Sequence, residues 1–437
     1  MNSSMEAQVR LRMPDRAQVT MRVECDDDLI PCAHQARVIW SVVEKLDLSA
    51  FHASIKAREG VCGRDATDPR LLVSLWLYAA TRGVGSAREL ARLCVESRPY
   101  RWLCGGVTLN HHSLSDFRVG HAAALDELFT QVLAVLVEQG LVKVRRISQD
   151  GTRVRASAGA GSFRRGQRLE ELLEQAERHV AELRSMLDDP EKSAGLSAKK
   201  KAAKVRAATG RQKRIQAALE VLPKLAAQQR AALKRAGNGK YSQDRRKNPP
   251  RVSTTDPEAR VMKMPDGGFA PAVNVQLATD TESRVIVGVA VCNAGSDKRQ
   301  AEPMRKQVED RTGLKVQEHL VDGGFLVLEE IDQAARDGVT LFVPPPAPRD
   351  PARAGQEYEP KPSDSAAQAQ WRQRMAGEEA KTIYKERAAT SETVNADLKQ
   401  HRSLVQMTVR GLAKAQCVAL WCALAYNLLH FGPALVR

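Results

Sequence analysis

Between Arg164 and Lys240 the chain contains no aromatic residue. No other feature constrains the fold as much, because a stretch of that length without aromatics offers little with which to build a globular core. Leu169, Leu173, Ala176, Val180, Leu183 and Leu187 alternate at spacings of four and three, which is a heptad seam. Pro190 and Gly195 interrupt it, and a second, basic helical pattern follows with Ile215, Leu219, Leu222, Ala226 and Leu233. Pro223 lies inside that second pattern and predicts a kink or a break. An antiparallel helical hairpin fits both runs. Strand-like sequence lies before and after it, so the spacing predicts a coiled-coil insertion, residues 161–250, within an α/β domain.

The charge is concentrated in the same region. Between Lys192 and Lys247 stand 17 Lys and Arg against two acids, Glu220 and Asp244. Of the 67 basic and 52 acidic residues, that leaves 50 of each elsewhere, so the formal net charge of +15 belongs to this segment. A positive field localised in this way attracts a polyanion, and nucleic acid is the commonest one. At 43% hydrophobic residues the chain has the means to fold. The apolar run near Val418–Leu429 is broken by Trp421, Tyr426 and Asn427 and reads as too short to span a bilayer. The first residues, MNSSMEAQVRLRMPDR, have no apolar stretch of the leader kind. The expectation is a cytoplasmic protein with no membrane partner.

Eight scattered cysteines with no Cys-x-x-Cys read as buried free thiols in a reducing compartment. His111, His112 and His121 have no cysteine or acid at ligand spacing. Gly83-x-Gly85 follows no strand and is no nucleotide loop.

Residues 1–30 read as a loose polar arm. Residues 35–145 read as helical, and 1–140 are expected to form an all-helical region for DNA binding or dimerisation. Asp68-Pro69 predicts the start of one helix, Ser86-x-x-Glu89 another, and Ser113 or Ser115 a third. A helix pair around Cys104–Asn110 has the outline of a helix-turn-helix. After it, VRRISQD (144–150) predicts a strand that stops at Asp150. Beyond the insertion, PAVNVQLATD and RVIVGVAVC predict a hairpin turning at Thr281–Ser283. A helix at 298–311, a strand ending at Asp322, a helix at 326–337 and the strand VTLFV follow, and from Ser365 the chain reads as helical. This order is that of a ribonuclease-H-like α/β core with an insertion, built from 141–160 and 251–437.

Three acids stand out by position. Asp150 and Asp322 each close a predicted strand and precede a glycine. A carboxylate at the carboxyl edge of a strand in an open sheet faces the crevice where ligands bind. Glu392 lies on a later helix, YKERAATSETVNADLK. In-line cleavage of a phosphodiester needs both the attacking and the leaving oxygen stabilised, and two Mg²⁺ ions about 4 Å apart do this. Mg²⁺ takes carboxylates, water and phosphate oxygens rather than His or Cys. On a helical wheel Lys399 falls within roughly 20° of Glu392, Tyr384 roughly 80° away and Arg387 about 140° away.

Tyr384, Arg387, Glu392 and Lys399 resemble the Tyr-Arg-Glu-Lys signature of DDE-class insertion-sequence transposases, with four residues rather than the common three between Arg and Glu. DGTRVRASAG (150–159), MKMPDGGFAPAVNVQLATD (262–280), DGGF (322–325), VRGLAKAQ…LAYNLL (409–429) and SARELARLCVESRPYRWLCGG…HHSLSDFR (86–118) also resemble family sequence. The resemblance implies catalytic, metal-holding Asp150, Asp322 and Glu392; DNA contacts at Tyr384, Arg387 and Lys399; and two Mg²⁺ ions, with Mn²⁺ able to substitute. It implies double-stranded DNA as partner, both element ends and target, and a homodimer or higher oligomer on that DNA. The reaction it implies is hydrolysis at the element's ends followed by 3′-OH strand transfer. A nuclease of the same fold and a decayed or domesticated DNA-binding protein are the rival readings.

Overall fold

The structure is a computed structural model that describes residues 16–436 apart from 20, 22, 54, 59, 61, 63, 64, 192, 193, 237–242, 244–246 and 349. Half of the expected N-terminal arm (1–15) and part of the basic segment therefore lie outside the described residues.

Apolar residues recurring every three or four positions make the N-terminal part helical. Its helices are α1 (Gln35–Lys45), α2 (Ser49–His52), α3 (Pro69–Thr81), α4 (Ala87–Glu96), α5 (Arg98–Cys104), α6 (His111–Gly120) and α7 (Ala122–Glu138). Asp68 caps α3 by accepting from the Arg70 N–H, with Pro69 in the first turn, and Ser86 caps α4 by accepting from the Glu89 N–H. The cap of α6 is Asn110, whose side chain accepts from the His112 and Ser113 N–H groups, and not Ser113 or Ser115. Only the end of the described arm is tied down, while Val19, Met21 and Val23 are almost fully exposed. Leu29 and Ile30 are buried, and Asp27 accepts from Arg37 and from the Trp102 indole. Cys94, Cys104, Cys417 and Cys422 are buried free thiols as expected, but Cys25, Cys32 and Cys62 are exposed.

The chain then enters a sheet through β1 (Arg146–Arg155) and a short β2 (Phe163–Arg164). Two long helices follow, α8 (Gly166–Asp188) and α9 (Ala198–Ala236). Next come β3 (Val252–Ser253), β4 (Arg260–Lys263), β5 (Phe269–Asp280), β6 (Ile286–Cys292), α10 (Ala301–Thr312), β7 (Glu318–Leu320), α11 (Leu328–Arg336) and β8 (Thr340–Phe342). The C-terminal helices are α12 (Ala366–Ala376), α13 (Glu378–Arg387), α14 (Thr393–His401) and α15 (Leu412–Val436). A five-residue π turn, Ala388–Glu392, joins α13 to α14.

The main sheet runs β4-β5-β1-β7-β8, and β6 shares the β4 edge of β5. β1 pairs antiparallel with β5 and parallel with β7, and β7 pairs parallel with β8. The sheet is thus mixed, and β1 lies where the antiparallel half meets the parallel half. The predicted β5–β6 hairpin is present. The outer edge of β6 is covered by side chains of α15: Gln416 bonds the Val291 N–H and Val289 C=O, and Asn427 bonds both backbone groups of Ile286. These pairings satisfy backbone groups that an open edge would expose. Buried residues from Leu29 in the arm to Leu435 in α15 form one contiguous apolar core, with Trp76, Phe129, Trp371 and Trp421 among its largest members. α15 is long and apolar enough to cross a bilayer by length and composition, contrary to the sequence expectation, but 72% of its most apolar window is buried inside the protein.

The two long helices lie between the strands of the small β2–β3 ladder, pinned by Ser162 and Ser253 hydroxyls 2.7 Å apart. α8 and α9 pack through Leu169, Ala176, Ile215 and Ala218, and Gly166 at the start of α8 lies against Leu222 of α9. This places the two helices antiparallel. α9 continues as helix through Pro223, where a kink or a break was expected.

Candidate active site

The strand register sets the site. In the parallel pair, Ser148 lies opposite Leu320, and pairing ends there. Asp150 is two residues past Ser148, and Asp322 is two residues past Leu320. Neighbouring strands lie about 4.8 Å apart and side chains two apart share a face. Asp150 and Asp322 therefore stand side by side beyond the shorter strand. Asp150 does not end its own strand, as the sequence suggested. β1 continues to Arg155 because the 12-residue β5 offers it antiparallel partners up to Ala272. Only the parallel half stops, so Asp150 sits at a carboxyl edge on one side of β1 alone.

Gly151 has a packing reason of its own. A Cβ there would lie 2.1 Å from Oδ1 of Asp297, a buried carboxylate that accepts from Asn274 Nδ2 (2.7 Å) and Gln276 Nε2 (2.6 Å). The close approach is made by this third aspartate. Asp322 caps a short 3-10 turn by accepting from the Gly324 N–H at 2.8 Å.

The opposite wall is the α13–π–α14 segment. Ser391 is pinned to β1 by a 2.5 Å hydroxyl contact with Ser148. On a regular α-helix, Arg387 would face away from Glu392. The π turn hydrogen-bonds i to i+5 and takes up one extra residue, which brings residues five apart onto one face. Arg387 Nη2 lies 3.7 Å from Glu392 Oε1, and its Nη1 lies 4.0 Å from Asp150 Oδ1. The guanidinium thus spans two of the three acids, and the wheel that set it apart from Glu392 is corrected. It also stands 5.9 Å from the centroid of the Tyr384 ring. Two other acids near Glu392 on this segment are engaged elsewhere: Glu386 pairs with Arg146 at 2.7 Å and Asp397 with Arg402 at 3.0 Å.

A cavity of about 410 Å³ opens between the two walls, lined by Asp150, Gly151, Glu392, Asn395 and Lys399 among others. Burial pushes the Asp150 carboxyl up to about 6; Arg387 pulls the other way, and the Asp322 and Asp297 charges add to the rise. Burial lowers the Lys399 ammonium, partly offset by Asp150, and raises the Tyr384 phenol. Asn395 was not singled out from sequence. Its Nδ2 donates to Asp150 Oδ2 at 2.8 Å. Its position three after Glu392 and four before Lys399 was the available signal.

Among the described residues no three His, Cys, Asp or Glu side chains are gathered closely enough to hold a metal ion. Asp150 and Asp322 are adjacent, while Glu392, with 66% of its side chain exposed, turns to Arg387. The donor chemistry still fits a hard divalent cation: all the groups are oxygens, two carboxylates repel one another, and a guanidinium already lies between two of the acids.

Two family models match the chain. Residues 242–428 are similar to a transposase DDE domain, and residues 24–119 to a transposase domain, DUF772. The first match contains Asp322, Glu392 and the whole α13–α14 segment; Asp150 and the helical hairpin lie between the two. A DDE domain implies a ribonuclease-H-like core and dependence on a divalent metal. No curated protein and no solved structure matches the chain. With two transposase domains in one chain, one of them similar to a DDE domain, the protein is an enzyme that cleaves DNA.

Proposed function

We propose that Asp150, Asp322 and Glu392 are the catalytic triad and hold two divalent ions, Mg²⁺ with Mn²⁺ able to replace it, and that Tyr384, Arg387 and Lys399 contact DNA. The observation that carries this reading is the strand register that sets Asp150 beside Asp322, together with the π turn that brings Arg387 onto the face of Glu392 and to 4.0 Å from Asp150. Ions held there would stabilise the attacking and leaving oxygens of an in-line displacement. Water attacks the phosphorus at the element's end and the P–O3′ bond breaks. The water's proton ends on the departing oxygen, leaving a 3′-OH and a 5′-phosphate. The 3′-OH then attacks a target phosphodiester, and one P–O3′ bond replaces another. Arg387 and Lys399 offer cations to the phosphate, and the Tyr384 ring offers a face for a base or sugar.

The reading assigns 1–140 to a helical DNA-binding or dimerisation region. It assigns 141–160 and 251–437 to the catalytic core and 161–250 to a coiled-coil insertion. It includes the Tyr-Arg-Glu-Lys subtype, an oligomer assembled on DNA and work in the cytoplasm. The test uses a labelled duplex bearing the element's own end, incubated with Mg²⁺ or Mn²⁺. Nicking and joining are expected for the wild type and lost in Asp150→Ala, Asp322→Ala and Glu392→Ala. Nicking without joining would make the enzyme a nuclease. Specific binding with no cleavage would make it a DNA-binding protein.

A further inference from the structure

Asn395 is 8% exposed, and its Oδ1 is buried with no hydrogen-bond partner. Its other amide atom is committed, because Nδ2 donates to Asp150 Oδ2 at 2.8 Å. Turning the amide over would set oxygen against carboxylate oxygen, so the network fixes which atom is which. A buried carbonyl oxygen without a donor costs on the order of 1–3 kcal/mol. Such an atom in a polar cavity calls for a ligand. The Asn395 side chain lines the same cavity as Asp150 and Glu392, with Arg153 and Lys399 also on its wall. An electron-rich oxygen beside carboxylates is the wrong partner for an anion and the right one for a cation. Amide carbonyls are ordinary ligands of hard divalent ions.

We infer that Asn395 is a further ligand of the divalent-cation site, giving its Oδ1 to the ion while its Nδ2 holds the Asp150 carboxylate in place. The inference rests on the carboxylate site proposed above. One residue then does two jobs from one helical turn after Glu392, and α14 becomes part of the metal site rather than a scaffold for Glu392 alone.

The experiment is Mn²⁺ binding by the full chain without DNA, followed by calorimetry or by the free-ion resonance signal, with melting temperature measured in chelator. The variants are Asn395→Ala, Asn395→Asp, Asp150→Asn and Asp322→Asn. Asn395→Ala is expected to weaken Mn²⁺ at least tenfold at an unchanged melting temperature. Asn395→Asp keeps an oxygen and loses the donor to Asp150, and is expected to bind as tightly as the wild type or tighter. If the residue served only to prop Asp150, Asn395→Asp would bind as poorly as Asn395→Ala, and the inference would fall. It would fall equally if Asn395→Ala bound as the wild type does. Should Asn395→Ala fail to fold, Asn395→Asp and Asn395→Ser decide the matter by the same comparison. Wild-type-like Mn²⁺ binding in Asp150→Asn and Asp322→Asn, or none in the wild type, would overturn the carboxylate site itself and Asn395 with it.

Discussion

Asp150 is held under tension by its surroundings. Burial and the neighbouring Asp322 and Asp297 lift its carboxyl to about 6, against the pull of Arg387 and the Gly151 N–H. A carboxyl whose folded value lies above its unfolded one favours folding when protonated. That contribution is fully present below about pH 4 and is lost as pH rises through about 6. At pH 8 without divalent ions the charged group therefore costs stability, at most about 3 kcal/mol for the shift from 3.8 to about 6. Asp150→Asn keeps the shape and removes the charge. It is expected to melt several degrees above the wild type at pH 8 in chelator, with the gain vanishing near pH 4. Divalent ions should raise the wild type at pH 8 and leave the variant unmoved. A variant that melts at or below the wild type at pH 8 would mean that Asp150 is not strained. The same crowding explains Gly151, where any side chain would collide with Asp297.

At the scale of elements, the π turn is what assembles the second wall. It absorbs the extra residue between Arg387 and Glu392, and it is anchored at Ser391 to Ser148 on β1. Removing Ala388 would convert the turn to plain α-helix with three residues between Arg387 and Glu392, which are then one turn apart and still on one face. Inserting an alanine at the same place would rotate Tyr384 and Arg387 by about 100° relative to Glu392. The deletion is expected to nick DNA within about tenfold of the wild type, and the insertion to lose at least two orders of magnitude. Equal losses in both would show that the spacing matters for reasons other than facing. Wheel arithmetic missed the turn because it assumes regular helix and nothing in AATSE breaks it, although the extra residue against the common spacing was its signal. The hairpin of β5 and β6 was legible from alternation and a turn, since both depend on neighbours in sequence. The end of β1 was not. A strand's length depends on its partners, and the partner that prolongs β1 lies more than 100 residues downstream.

The whole molecule joins a mixed sheet, which carries Asp150, to two long helices, the second of them strongly basic. Helical periodicity foretold the two long helices between β2 and β3, and the resemblance singled out Asp322 and Glu392 as candidates. What escaped were contacts across the fold: Asp297 beneath Gly151, Asn395 on Asp150, and the meeting of the insertion with the C-terminal part. At that last junction burial lowers the Arg214 guanidinium, and the Arg410 and Arg211 charges lower it further. Its Nε is buried and unpartnered. Three like charges near one another, on a helix whose sole acid is Glu220, favour an anion between α9 and the segment that leads into α15. DNA phosphate is the anion such an enzyme meets. Changing Arg211, Arg214 and Arg410 together to Gln should therefore weaken binding to any duplex. It should also flatten the dependence of log K on log salt by roughly two to three units, as expected for the loss of three phosphate contacts. Fluorescence anisotropy on an unrelated duplex between 50 and 200 mM salt measures both (a range that exposes counterion release). Nicking at low salt and saturating protein should stay near wild type, because the proposed triad is untouched. An unchanged slope would mean that these three arginines face away from DNA, and weakened nicking at saturation would tie the junction to catalysis instead.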